Sequence, residues 1–104
     1  MAGYTLSAIA DERLDEIYQY SRDNWEDEKA QEYINALFEC FDVIAKRDVL
    51  WRPIPAEFEV DGYYRSCRNH FVYWREWPDG EIGIVTILHE RMHQMDRFRD
   101  DLEP

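Results

Sequence analysis

Two apolar stripes of helical period, separated by only a short link, constrain this chain more than any other feature. Ala10, Leu14, Ile17, Tyr18 and Ser21 form the first stripe, and Ala30, Tyr33, Ile34, Leu37, Phe38, Phe41, Ile44 and Ala45 form a second, stronger one. Ser7 is placed to cap the first helix, and Asp11 and Glu12 fall where the helix dipole favours acids, so helix one is predicted to run to about Arg22. The link Asp23-Asn24-Trp25 leads to Glu26, Asp27 and Glu28 in the first turn of helix two. So short a link folds the two helices into an antiparallel hairpin. Asp11, Glu12, Asp15, Glu16 and Asp23 then form its solvated face.

The remainder reads as sheet. Tyr4-Thr5-Leu6 is a short extended segment, and residues 46–62, with Pro53, Pro55 and Gly62, read as a loop. Tyr63 to Arg68 is strand-like, Asn69-His70 a tight turn and Phe71 to Trp77 a second strand. Pro78-Asp79-Gly80 is a hairpin turn, and residues 82–88 make a third strand. Met92, Met95, Phe98 and Leu102 give a short terminal helix. The expectation is one α+β domain over residues 1–104, with a β-α-α-β-β-β order and the hairpin packed on an antiparallel sheet.

Ile82 to Met95 has two incompatible readings. His89-Glu90-Arg91-Met92-His93 spells H-E-x-x-H, which on a helix puts two zinc-binding histidines on one face with the glutamate as base. Ile84, Leu88, Met92 and Met95 do fall at helical spacing. Ile82, Ile84, Val85, Thr86 and Ile87 are β-branched and broken by Gly83, which favours a strand. On a strand His89 stands at the end, no shared metal face forms, and no metal or cofactor is expected.

Charge narrows the function. The net charge of −11 disfavours nucleic acid as the main partner. Residues 62–75 are the exception, carrying Arg65, Arg68 and Arg75 and no acid. They are either a solvated strand surface or a docking patch for an acidic segment. Strand alternation puts Arg65 and Arg68 on opposite faces. Cys40 and Cys67 share no metal or redox spacing and suit free thiols in a reducing cytoplasm. The start lacks a signal-peptide pattern, and no apolar run reaches the roughly 20 residues that span a bilayer. Trp25 and Trp74 are predicted to fill the core, whereas Trp51 and Trp77, in a loop and beside a turn, are interface candidates. His70 is read as a surface or capping residue of its turn.

Several motifs, in order along nearly the whole chain, resemble the ParE branch of the ParE/RelE toxin superfamily. They are Tyr4-Thr5-Leu6-Ser7 with Ala10, Leu14, Ile17 and Tyr20; Trp25 followed by Ala30 and Tyr33; Gly62-Tyr63-Tyr64-Arg65; His70-Phe71-Val72-Tyr73; and Ile87-Leu88-His89 with Arg91-Met92. The family's closing motif resembles leucine-His-x-Arg-Met followed by Asp. His93 replaces that Asp here, so the zinc signature reads as an accident of one change. The Gly-Arg turn that usually precedes the first sheet strand reads Trp51-Arg52, which alters the expected loop shape.

The resemblance implies the toxin of a type II toxin–antitoxin pair. Such a toxin stalls DNA gyrase and is neutralised by a ParD-like antitoxin, a DNA-binding dimer whose C-terminal segment wraps the toxin. RelE-like relatives instead cleave messenger RNA on the ribosome, using basic residues for acid–base chemistry and phosphate stabilisation. Only two lysines, Lys29 and Lys46, are present, both in the predicted hairpin, which favours the gyrase reading and no catalytic residues. The antitoxin is expected along the sheet, contacting Trp51, Arg65, Arg68, Arg75, Arg91, Met92, Met95 and Phe98. The resemblance also implies a cytoplasmic protein bound in a hetero-oligomer with its antitoxin.

Overall fold

A computed structural model describes residues 3–55 and 61–89. The elements run β1 (Tyr4–Leu6), α1 (Ala8–Asn24), α2 (Asp27–Ala45), β2 (Arg52–Pro53), β3 (Tyr63–Cys67), β4 (His70–Glu76) and β5 (Ile82–His89). The α+β architecture is the one the periodicity implied. The terminal helix predicted through Met92 and Leu102 lies outside the described residues.

Ser7 starts the hairpin and fixes it to the sheet. Its hydroxyl accepts the Ala10 N–H at 3.0 Å, as an N-cap should, and donates to the Val85 carbonyl at 2.6 Å. The Ser7 N–H also donates to the Ile84 carbonyl at 2.9 Å, so the first turn of α1 is anchored to β5. Both apolar stripes face the sheet. Ala10, Leu14, Ile34, Leu37, Phe41 and Ile44 bury themselves against Val72, Trp74, Ile82, Ile84 and Ile87. Phe41, with no exposed area, has the edge-on rings of Tyr4 and Phe38 each at 5.5 Å.

The sheet order is β1-β5-β4-β3-β2. β1 pairs with β5 in parallel, whereas the other neighbours are antiparallel, so the sheet is mixed. The reason is topological: short turns enforce antiparallel pairing only between consecutive strands, and β1 reaches β5 across the helical hairpin. Two boundaries differ from the sequence expectation. Arg52–Pro53, read as loop, forms a two-residue edge strand on Tyr63–Tyr64, a position that tolerates the missing proline N–H. The β3–β4 loop is Arg68-Asn69 rather than Asn69-His70, because Cys67 pairs with His70. Arg68 takes the left-handed conformation (φ 58°) that such a tight loop demands.

Residues 82–89 are strand, so the helical zinc reading fails at its first histidine. Glu90 and His93 lie outside the described residues. Free thiols were also the wrong expectation: Cys40 on α2 and Cys67 at the end of β3 form a disulfide, with Cα atoms 6.5 Å apart. The spacing along the chain hid this pairing, which exists only because α2 crosses the end of β3.

Candidate functional site

The hairpin tip meets the β3–β4 turn at one corner of the domain. There Trp25, Lys29, Glu32, Tyr33 and Arg68 line a groove of about 350 Å³. Trp25 was expected in the core but is 45% exposed, because it caps α1 at the bend, where no described element covers it. Its ring tilts against Tyr33 at 6.1 Å.

Beneath the groove, Tyr33 reaches the sheet. Its oxygen lies 2.6 Å from His70 Nδ1 and accepts the Asn69 N–H at 3.1 Å. His70 pairs with His89 across β4 and β5, with ring centres 5.1 Å apart. Burial, followed by the neighbouring His89, lowers the His70 pKa to about 4, so the ring is neutral at physiological pH. His70 is therefore no surface cap but a half-buried member of an aromatic series running Trp25, Tyr33, His70, His89. Sequence reading missed this cluster. Regular counting from the β4–β5 turn would have set His70 opposite Leu88; the register shift between Tyr73 and Trp74 pairs it with His89 instead.

The sheet face away from the helices carries a second cluster. Ile54, Tyr73 and Leu88 are buried, with Tyr64, Phe71 and Val85 packed around them. Tyr64 and Tyr73 stack at 6.2 Å. Burial, then the neighbouring Tyr64, raises the Tyr73 pKa and keeps its hydroxyl protonated. Neither lysine is on the sheet: Lys29 is in α2 and Lys46 is its C-cap.

The expected antitoxin contacts are dispersed. Arg65 lies on the helix-side face with Tyr63 and Cys67, half-buried, and its Nε has no hydrogen-bond partner. Arg68 is at the turn beside the groove. Arg75, near the far end of β4, donates through Nε to the Asp61 carbonyl at 3.0 Å. Arg68 and Arg75 are thus about 20 Å apart at the strand rise per residue, so the three arginines do not form one patch. Trp51 packs inward: its Nε1 donates to the Ile44 carbonyl at 3.2 Å, its ring meets Trp74 edge-on at 5.7 Å, and Arg47 lies over it at 4.1 Å. Trp77 is 43% exposed and lies across Gly83. Arg91, Met92, Met95 and Phe98 lie outside the described residues.

Comparison with known proteins matches residues 4–94 to the family model for the ParE toxin of type II toxin-antitoxin system, parDE. The chain is 31% identical over 91 residues to toxin ParE1 of Mycobacterium tuberculosis, covering 86% of this chain and 90% of that protein. It is 30% identical over 95 residues to toxin ParE1 of Caulobacter vibrioides, covering 89% and 94%. It is 29% identical over 103 residues to toxin ParE of Escherichia coli, covering 99% of each.

Proposed function

Because this chain belongs to the ParE toxin family of type II toxin–antitoxin systems, we propose that it poisons DNA gyrase inside the bacterial cell and is held inactive by a ParD-like antitoxin. The observation that carries the gyrase reading over RNA cleavage is the distribution of charge. The chain has a net charge of −11, and neither lysine is on a strand: Lys46 caps α2, and Lys29 of α2 lines the groove at the β3–β4 turn beside Glu32. Phosphate stabilisation at a cleavage site calls for clustered cations. A protein target makes no such demand, and Tyr64 and Phe71, half-buried on the sheet face away from the helices, are residue types common in protein-binding surfaces. Among the described residues, no helix is long and apolar enough to cross a membrane.

The antitoxin is proposed to engage the toxin at Arg68 and Arg75 and along residues 91–98. A disordered acidic segment gains most from cations in an otherwise acidic chain. Arg65 and Trp51 contribute indirectly, through the packing that supports the sheet.

Expression of the chain with and without its neighbouring open reading frame tests the toxin–antitoxin pairing, with growth arrest expected only without the neighbour. Purified protein should then inhibit supercoiling by gyrase or trap cleaved plasmid. Codon-specific messenger cleavage on ribosomes with gyrase unaffected would replace this reading with the ribonuclease one.

A further inference from the structure

His89 opens a motif whose spacing pointed along the chain to His93, but the fold pairs it across the sheet with His70. From this pairing we infer that His70 and His89 form an exchangeable binding site for an imidazole-preferring divalent transition-metal ion, such as zinc or copper.

Three observations carry the inference. The two residues are direct partners on adjacent antiparallel strands, so both side chains leave the same face of the sheet. Their ring centres are 5.1 Å apart. With metal–nitrogen bonds of about 2 Å, one ion between two imidazoles holds the rings at about this separation.

Next, the orientation of His70 is set. Tyr33 engages Nδ1, and the Tyr33 oxygen is itself held by the Asn69 N–H. That leaves Nε2 to bind an ion, with Nδ1–H donating to the tyrosine oxygen. Histidine ligands are commonly positioned in this way by a partner on the second ring nitrogen. The device is built from three elements: α2 supplies Tyr33, the β3–β4 turn supplies Asn69, and β4 supplies His70.

Finally, both histidines are only half-buried, so water can complete the coordination. Among the described residues, no group of three or more His, Cys, Asp or Glu side chains converges to hold an ion. The described residues thus supply two protein ligands, fewer than the four of the closed tetrahedral sites that hold structural zinc. Two imidazoles suit zinc, copper or nickel and exclude the oxygen-seeking magnesium and calcium. A bound ion would join the ends of β4 and β5 beside the Trp25–Arg68 groove.

Tag-free, EDTA-stripped protein titrated with zinc chloride by calorimetry tests the site. One ion per chain is expected. His70→Ala and His89→Ala should each weaken binding by at least about tenfold, and Tyr33→Phe by about tenfold through loss of the partner on Nδ1. His93→Ala should bind as wild type. Copper(II) paramagnetic resonance should show two nitrogen ligands in the wild type and one in His89→Gln, a variant whose thermal melt checks that the fold persists. Overturning results would be no saturable binding to the wild type, binding unaffected by either His70→Ala or His89→Ala, or binding abolished by His93→Ala.

Discussion

Cys40 of α2 and Cys67 of β3 are joined by a disulfide that closes a segment 27 residues long. It fastens the second helix to the strand end from which the Arg68-Asn69 turn departs. A cross-link of this span stabilises the fold by about 3–4 kcal/mol, chiefly by restricting the unfolded chain. Adding a thiol reductant, or making the Cys40→Ser/Cys67→Ser double variant, should lower Tm by more than about 10 °C. Equal melting with and without reductant would mean that the disulfide contributes nothing to the fold.

Phe41 is completely buried between the hairpin and the sheet, against Tyr4 and Phe38. Phe41→Ala should cost about 3–5 kcal/mol, a large part of the stability of so small a domain. Urea unfolding is the measurement, with the midpoint expected to fall at an unchanged slope. A cost below about 1 kcal/mol would show that the ring does not close the core.

Glycines 62 and 80 both have positive φ, at 143° and 88°, yet they should respond differently to alanine. A Cβ at Gly62 would lie 2.8 Å from the Trp74 carbonyl oxygen, a backbone atom that cannot swing aside, whereas at Gly80 it would meet nothing within 4 Å. Gly62→Ala should therefore cost about 2–4 kcal/mol, and Gly80→Ala only about 1 kcal/mol from its backbone conformation. Paired chemical denaturation curves check the order, and a reversed order would contradict the register of β3 on β4.

His70 should make folding weaker in acid. Its folded pKa is about 4, against 6.5 for an ordinary histidine, because burial disfavours the charged ring and His89 adds repulsion. The unfolded chain therefore binds the extra proton first. Stability from the neutral ring is complete above about pH 6.5 and is lost as pH falls toward 4. The nearby groups facing this site are Tyr33 and His89, with Lys29, Glu32 and Arg68 in the adjoining groove. After allowance for solvent screening at a half-buried site, the loss is about 1–2 kcal/mol. In metal-free buffer, His70→Gln should flatten the stability profile between pH 6.5 and 4, and an unchanged slope would assign it to other groups.

The helical hairpin and its buried stripes were legible in the chain because helix period and capping are local. Leu37, Phe41 and Ser7 reveal their roles within a few residues of themselves. β4 and β5 were legible for the same reason, in runs such as Ile84-Val85-Thr86-Ile87. What only the tertiary structure decided was every relation between distant residues. The parallel pairing of β1 with β5, the Cys40–Cys67 bond, the partial burial of Trp51 and the exposure of Trp25 depend on how the hairpin lies across the sheet. The His70–His89 pair turned on a one-residue register shift between Tyr73 and Trp74 of β4. With a side-chain period of two, such a shift moves a residue to the opposite face of the sheet. Local pattern fixes which face of each element is apolar; register and crossing geometry decide which residues meet.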